Sequence, residues 1–443
     1  MTGVDPLVAA VRDDLAAALA DPDLTLRTAT RLTAGASRIT WMLDVTRASG
    51  ETEQLVLQRE RVRGARLGGV TAESTLLQAA GAAGVPVPAV VASDPVGDSI
   101  GGGYVVTRRV EGETIARRIL RDDEYAGARS VLASQLGRIL AAIHAVPTGD
   151  LPLSAQADVL AATEEMLDEA CDARPAFELG LQWLREHRPA AGPAALVHGD
   201  FRLGNLVVGP EGVRAVLDWE LAHVGDPLED LGWVCSPAWR FGGDQPVAGV
   251  GAREELWAAY EEAGGRRIDR DAALWWEVCS TVRWGVMCLL QARTHLSGAF
   301  RSAELAALGR RAAECEHDLF AAVFPGPASD PAPPADPPDL YGRPTAAELV
   351  AAVRESIGSW EAAPPFQVRV ATRALAVVER ELLAGIEAEQ SHRKRLSSLG
   401  FADDAALAAA IRAGEVGVSD DVVAAVRADV AQRIAVYDPS YGR

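Results

Sequence analysis

Residues 195–233, ALVHGDFRLGNLVVGPEGVRAVLDWELAHVGDPLEDLGW, constrain the fold more than any other stretch of this chain. Apolar Ala195 to Val197 run into a turn carrying His198, Gly199 and Asp200, and Asn205 follows five residues after that aspartate. Leu206 to Val208, a turn of Gly209, Pro210, Glu211 and Gly212, and Val213 to Leu217 then read as a β-hairpin. Pairing Val208 with Val213 sets Asn205 opposite Val216 and predicts that Asp218 lies a residue or two beyond the hairpin mouth. Asn205 and Asp218 therefore converge, with Asp200 on the neighbouring loop.

An amide oxygen and a carboxylate meeting beside a loop aspartate form the donor set that phosphoryl transfer requires. Hard Mg²⁺ takes oxygen ligands and keeps its remaining positions for water and phosphate oxygens. A separate carboxylate must face the incoming hydroxyl and accept its proton as it attacks the γ-phosphorus. This chemistry assigns Asp200 as the base and Asn205 and Asp218 as metal ligands, with His198 bracing the loop through hydrogen bonds. Any one of these residues reads equally well as a turn cap, since Asp and Asn are common turn formers. The complete ordered set argues for a site.

The pattern HGDxxxxN followed by LDWE and GDPxxDL resembles the aminoglycoside phosphotransferase and choline kinase group of the protein-kinase-like fold. It is nearest to the kinase-like domain related to acyl-CoA dehydrogenase-linked phosphotransferases, which shares the wording HGDFRLGN and LDWE. The resemblance covers roughly residues 25 to 320. It implies an α+β bilobal fold in which a β-rich N-lobe clamps ATP over a helical C-lobe, and the tail resembles an all-α domain of unknown function. By the same resemblance Asp200 matches the catalytic base, Asn205 and Asp218 match the Mg²⁺ ligands, and Asp226 and Asp230 match positions that stabilise the lobe.

That group usually carries a lysine on the third strand, paired with a glutamate on the next helix. Here the strand reads Leu55-Val56-Leu57-Gln58-Arg59-Glu60, without lysine. Gln58 or Arg59 is expected to stand in, and strand alternation lets only one of them face the nucleotide. Glu73 is the expected partner on the helix. Gly35 and Ser37, between two strands, would let backbone N–H groups approach phosphate. Thr107 to Glu111 would link the lobes and bind adenine.

The rest of the chain supports this division. Residues 31–110 read mainly as strands and turns, interrupted by a helix from Val70 to Ala83 with Leu76, Leu77 and Ala80 on one face and Gly84 and Pro86 at its end. Helices dominate from Asp122. Eight of the 25 prolines fall in residues 325–344, which therefore read as a spacer. The expected units are a nucleotide-binding lobe over 1–110, a helical lobe with the catalytic and metal loops over 111–324, the spacer, and a helical domain over 345–443. Thr345 and Glu348 read as a capping box, and Asp403 and Ser419 as further N-caps. The tail is expected to serve packing or assembly, including homo-oligomer formation.

A net charge of −19 would repel a phosphate backbone, which excludes nucleic acid as a partner. No run of roughly 18 apolar residues is available to span a membrane. The acidic N-terminus does not read as a secretory leader, so a cytoplasmic location is expected. The five scattered cysteines and Trp275, Trp276 and Trp284 read as core. ATP, Mg²⁺ and a small molecule bearing a hydroxyl are the expected ligands. Kinship with the acyl-CoA dehydrogenase-linked domain favours a hydroxyacyl-CoA or related hydroxy acid as acceptor. The alternatives are an aminoglycoside or choline-like amino alcohol, or a non-catalytic pseudokinase-type binding module.

Overall fold

The computed structural model describes residues 9–32, 38–60, 69–155, 158–327, 329–331, 346–358 and 365–442. Packing divides the chain into two compact units, Met1–Gln156 with Ala190–Ala273, and Ala157–Pro189 with Leu274–Arg443. Among the described residues no helix is long and apolar enough to cross a membrane. Gly35, Ser37, Thr345 and most of the proline-rich spacer lie outside the described residues.

The first unit opens with an antiparallel sheet of five strands in the order β1-β2-β3-β5-β4. These are β1 (Thr25–Leu32), β2 (Arg38–Thr46), β3 (Thr52–Glu60), β4 (Val90–Asp94) and β5 (Tyr104–Arg108). Alternation builds one apolar face. Trp41, Leu43, Val45, Leu55 and Leu57 are buried with Tyr104 and Val106, and Val11 and Leu15 near the helix Arg12–Ala18 complete that core. Directly opposed residues share a face of the sheet, so the pairs Arg38 with Glu60 and Thr40 with Gln58 belong to the other side.

The helix Gly69–Ala82 follows β3 and buries Leu76, Leu77 and Ala80. Gly84, in the left-handed region with φ +86°, and Pro86 turn the chain out of it. Further on, the helix Ala126–His144 buries Leu132, Leu136 and Leu140 and packs on the helix Arg253–Glu262. A side chain at Gly137 would meet the Leu256 carbonyl at 2.3 Å, so glycine allows that close crossing. Two short pairs complete the unit: β6 (Ala195–Val197) with β9 (His223–Gly225), and β7 (Leu206–Gly209) with β8 (Gly212–Val216).

The second unit is helical. Arg412 donates to Glu178 at 3.1 Å and 2.6 Å, while buried Glu316 accepts from Arg174 and Arg433. Asp403 and Ser419 cap their helices by accepting from Ala406 and Val422 N–H. Trp275 and Trp276 are buried, as are four cysteines. Cys171 is a correction to the core reading: it is exposed, because it ends the helix Val159–Ala170 in the left-handed conformation, with φ 54°.

His392, on Pro365–Ser398, lies 3.0 Å from Asp429 and 3.5 Å from Asp404, with Arg395 and Arg433 bonded to the same carboxylates. Its hydrogen bond to Asp429 holds its pKa above the usual histidine value, against burial. A raised folded pKa contributes stability that is fully present below the unfolded value of about 6.5 and is lost as pH rises through the folded one. The melting temperature of the helical unit should therefore fall over that window, and His392→Gln should flatten the profile. A wild-type melting curve that does not move between about pH 6 and pH 9 would contradict this.

Candidate active site

The loop after β6 is built around a buried carboxylate. Asp230, fully buried on the helix Leu228–Cys235, accepts from the backbone N–H of His198 at 2.8 Å and of Gly199 at 2.9 Å. His144 Nε2 lies 3.2 Å from the same carboxylate, and its Nδ1 lies 2.9 Å from the Tyr260 hydroxyl. Burial alone would raise the Asp230 pKa, but His144 and the bonds at His198 hold it below the usual carboxylate value. Gly199 has φ +81°, and a Cβ there would meet the Leu221 carbonyl at 2.5 Å. Only glycine allows the loop to pass so close.

His198 has no solvent exposure. Its Nδ1 accepts from Asp200 N–H at 3.2 Å, so its Nε2 carries the proton and donates to the Leu217 carbonyl at 3.0 Å. Burial favours this neutral form by lowering its pKa. The ring also packs against Trp219, centroid to centroid 4.8 Å. One imidazole thus ties the loop of Asp200 to the end of the hairpin.

The hairpin departs from the sequence reading in one respect. Val208 pairs with Val213 and Val207 with Ala215, leaving Arg214 as a bulge. The extra residue shifts the register, so Leu206 rather than Asn205 stands opposite Val216. Asn205 instead accepts from Leu217 N–H at 2.8 Å, and Asp218 follows directly. Arg214 donates to the Glu111 carbonyl at 2.9 Å, which gives the bulged side chain a partner.

Asp200 is held by three side chains. Its Oδ1 accepts from Arg202 Nε at 2.9 Å and Trp233 Nε1 at 2.9 Å, and its Oδ2 accepts from Asn205 Nδ2 at 2.7 Å. The same Asn205 amide nitrogen lies 3.0 Å from the Asp200 carbonyl. Asn205 is therefore oriented with its nitrogen on Asp200, which leaves its amide oxygen as an acceptor directed elsewhere. The Arg202 guanidinium lies over the Trp239 ring at 4.7 Å.

Asp218 adopts φ 63° and ψ 62°, a left-handed conformation costly for a residue other than glycine, and buried Trp219 pins the turn by donating to the Val216 carbonyl at 3.2 Å. Water reaches the Asp218 side chain, yet protein surrounds it. Burial, then the charges of Glu220, Asp200 and Glu73, push its carboxyl up to about 6, with Arg38 pulling the other way. Crowded carboxylates and an amide oxygen are a donor set that a hard cation would satisfy.

The strand cation lies in an unexpected place. Arg59 is turned to the core face, with its guanidinium 5.7 Å from the Trp41 ring and bonded to the Ile100 carbonyl. Gln58 is on the opposite face, opposite Thr40. Among the described residues, Glu73 is ion-paired instead with Arg38, the first residue of β2. Alternation explains the outcome, since Arg59 cannot share a face with Gln58 and Gln58 has no charge to offer. Besides Arg38, the sequence reading missed Arg202, Trp233 and His144 as partners of the site aspartates. Arg202 and Trp233 lie inside the 195–233 segment, whereas nothing in the spacing of LAAIHAV singles out His144.

Comparison with known proteins gives the setting. The model of the phosphotransferase enzyme family matches residues 28–275, and one described as a domain of unknown function matches residues 359–441. The chain is 33% identical over 177 residues to mouse acyl-CoA dehydrogenase family member 10, a stretch covering 37% of this chain and 16% of that protein. It is 33% identical over 162 residues to human acyl-CoA dehydrogenase family member 11, covering 33% of this chain and 20% of the relative. The chain thus matches about a fifth or less of the length of these relatives. A crystal structure of a candidate aminoglycoside phosphotransferase from Ralstonia eutropha aligns with TM-score 0.54 and 22% identity, covering 67% of this chain and 92% of that one. The fold is accordingly protein-kinase-like, a β-rich N-terminal part followed by a helical part, with an additional C-terminal helical domain.

Proposed function

Since the chain belongs to the phosphotransferase enzyme family, we propose that it transfers the γ-phosphate of ATP to a hydroxyl of a small molecule, with Mg²⁺ as the metal. The observation that carries this reading is the fixing of Asp200 by Arg202, Trp233 and Asn205 beside the Asn205 amide and Asp218. Two donors occupy Oδ1, whereas Oδ2 has one, so Oδ2 keeps a lone pair for the proton of an acceptor hydroxyl. As the acceptor oxygen bonds to the γ-phosphorus, its proton passes to Asp200 and the bond from phosphorus to the bridging oxygen breaks, releasing ADP. His198 and Asp230 hold the loop while Asp200 does this. Asn205 and Asp218 would hold Mg²⁺, whose chemistry there is to neutralise the charge on the phosphate oxygens.

The acceptor we favour is a hydroxyacyl-CoA or related hydroxy acid, supported by the likeness to acyl-CoA dehydrogenase family members 10 and 11. Phosphorylation turns a hydroxyl into a better leaving group, which suits a later elimination.

Ligands that bind only the native state raise the melting temperature by mass action. ATP with Mg²⁺ at about a hundred times its dissociation constant should stabilise the protein by about 2.7 kcal/mol. The shift should depend on Mg²⁺ and be lost in Asp218→Asn. Screening hydroxyacyl-CoAs against amino alcohols for ADP release then distinguishes the acceptor. No shift with any purine nucleotide would sink the kinase reading in favour of a non-catalytic binding module.

A further inference from the structure

We propose that Arg38 is the cation that binds the nucleotide phosphates, standing on β2 because β3 carries Gln58 and Glu60, and no cation, on that face. The inference rests on the phosphotransferase reading above and names the residue that meets the phosphate charge. The whole sequence contains a single lysine, Lys394, which lies on Pro365–Ser398 in the second unit. Arginine must therefore do what lysine does elsewhere.

Among the described arginines of the sheet, position decides. Arg31 stands opposite Trp41 and Arg59 opposite Tyr104, both on the core face. Arg27 is bonded to Thr46, and Arg108 stands opposite Leu55 with its guanidinium on Glu53, toward the β2–β3 turn. Arg38 is on the face of Gln58 and Thr40, immediately after the segment that contains Gly35 and Ser37.

Its side chain is 11% exposed, and that of Glu73 is 6% exposed. A charge so enclosed needs a partner, and Glu73 fixes it through Nη1. A guanidinium carries further N–H donors in a planar fork, the geometry that grips phosphate oxygens. The helix that carries Glu73 packs against the turn Trp219–Leu221 directly after Asp218, which sets the pair of Arg38 and Glu73 toward the metal-binding end of the site.

The test compares binding of ATP with Mg²⁺ and binding of adenosine to the full chain, by calorimetry, for wild type, Arg38→Met and Arg38→Lys. Adenosine reports the base and sugar contacts alone. Arg38→Met is expected to weaken ATP by roughly 10- to 100-fold and leave adenosine within a few-fold. Arg38→Lys should recover part of the loss, since it restores charge without the fork, and it carries the same ATP-against-adenosine comparison if Arg38→Met does not fold. Unchanged ATP affinity in the variants, or an equal loss for both ligands, would overturn the proposal and leave Arg38 as a tie between sheet and helix. A wild type that binds no nucleotide would overturn the phosphotransferase reading, and this proposal with it.

Discussion

Asp200→Asn is expected to lower the rate of phosphoryl transfer by about 10²- to 10⁴-fold while ATP binding with Mg²⁺ changes little. The amide oxygen can still accept from Arg202 and Trp233, while its nitrogen meets the Asn205 amide nitrogen, which keeps its bond to the backbone carbonyl of residue 200. The introduced amide cannot take up the proton of an attacking hydroxyl, and that is the step removed. Water can serve as a slow acceptor, so ADP release from ATP provides a readout before the natural acceptor is known. A full rate in Asp200→Asn would mean that the proton leaves by another route and that Asp200 only orders the loop. Loss of nucleotide binding together with turnover would mean that the substitution disturbed Asn205. The two parameters must therefore be measured on the same preparation.

The elements of this site that the sequence made legible are those set by local chain geometry. The order of His198, Asp200, Asn205 and Asp218 around a hairpin fixes their neighbourhood, because a hairpin brings its two ends together whatever surrounds it. The bulge at Arg214 escaped notice since arginine carries no turn signal, and one unpaired residue shifted the partner of Asn205. Strand phase was harder still. Gln58 and Arg59 are adjacent, and which of them joins the core depends on packing against Trp41 and Tyr104 from other strands. The pairing of Glu73 with Arg38 spans 35 residues, and no local period predicts a contact of that kind. Asp230 could be singled out by motif, yet its reach to His144 joins two helices 86 residues apart in the chain.

Asp230→Asn should produce the largest loss of stability in the first unit, about 3 kcal/mol. Its carboxylate accepts from two backbone N–H groups and faces His144 in a place with no solvent exposure. An asparagine has one acceptor atom and an amide nitrogen that is itself a donor. One of the N–H groups of His198 and Gly199 would then meet a donor, and an unpaired buried polar group alone costs about 1–3 kcal/mol. Losing the charge next to His144 adds to that. For a unit of this size such a loss corresponds to a melting temperature lower by roughly 6–12 °C. Native carboxylate stabilisation has its own pH signature: the folded pKa of Asp230 is depressed, so its contribution is present above the unfolded value of about 3.9 and is lost as pH falls through the folded one. Amide hydrogen exchange gives the local measure. Protection of the peptide covering Leu196 to Asp200 should drop in Asp230→Asn, and turnover should fall with it because Asp200 loses its fixed position. Unchanged exchange there, with an unchanged melting temperature, would show that the loop is held by His198 and Trp219 alone.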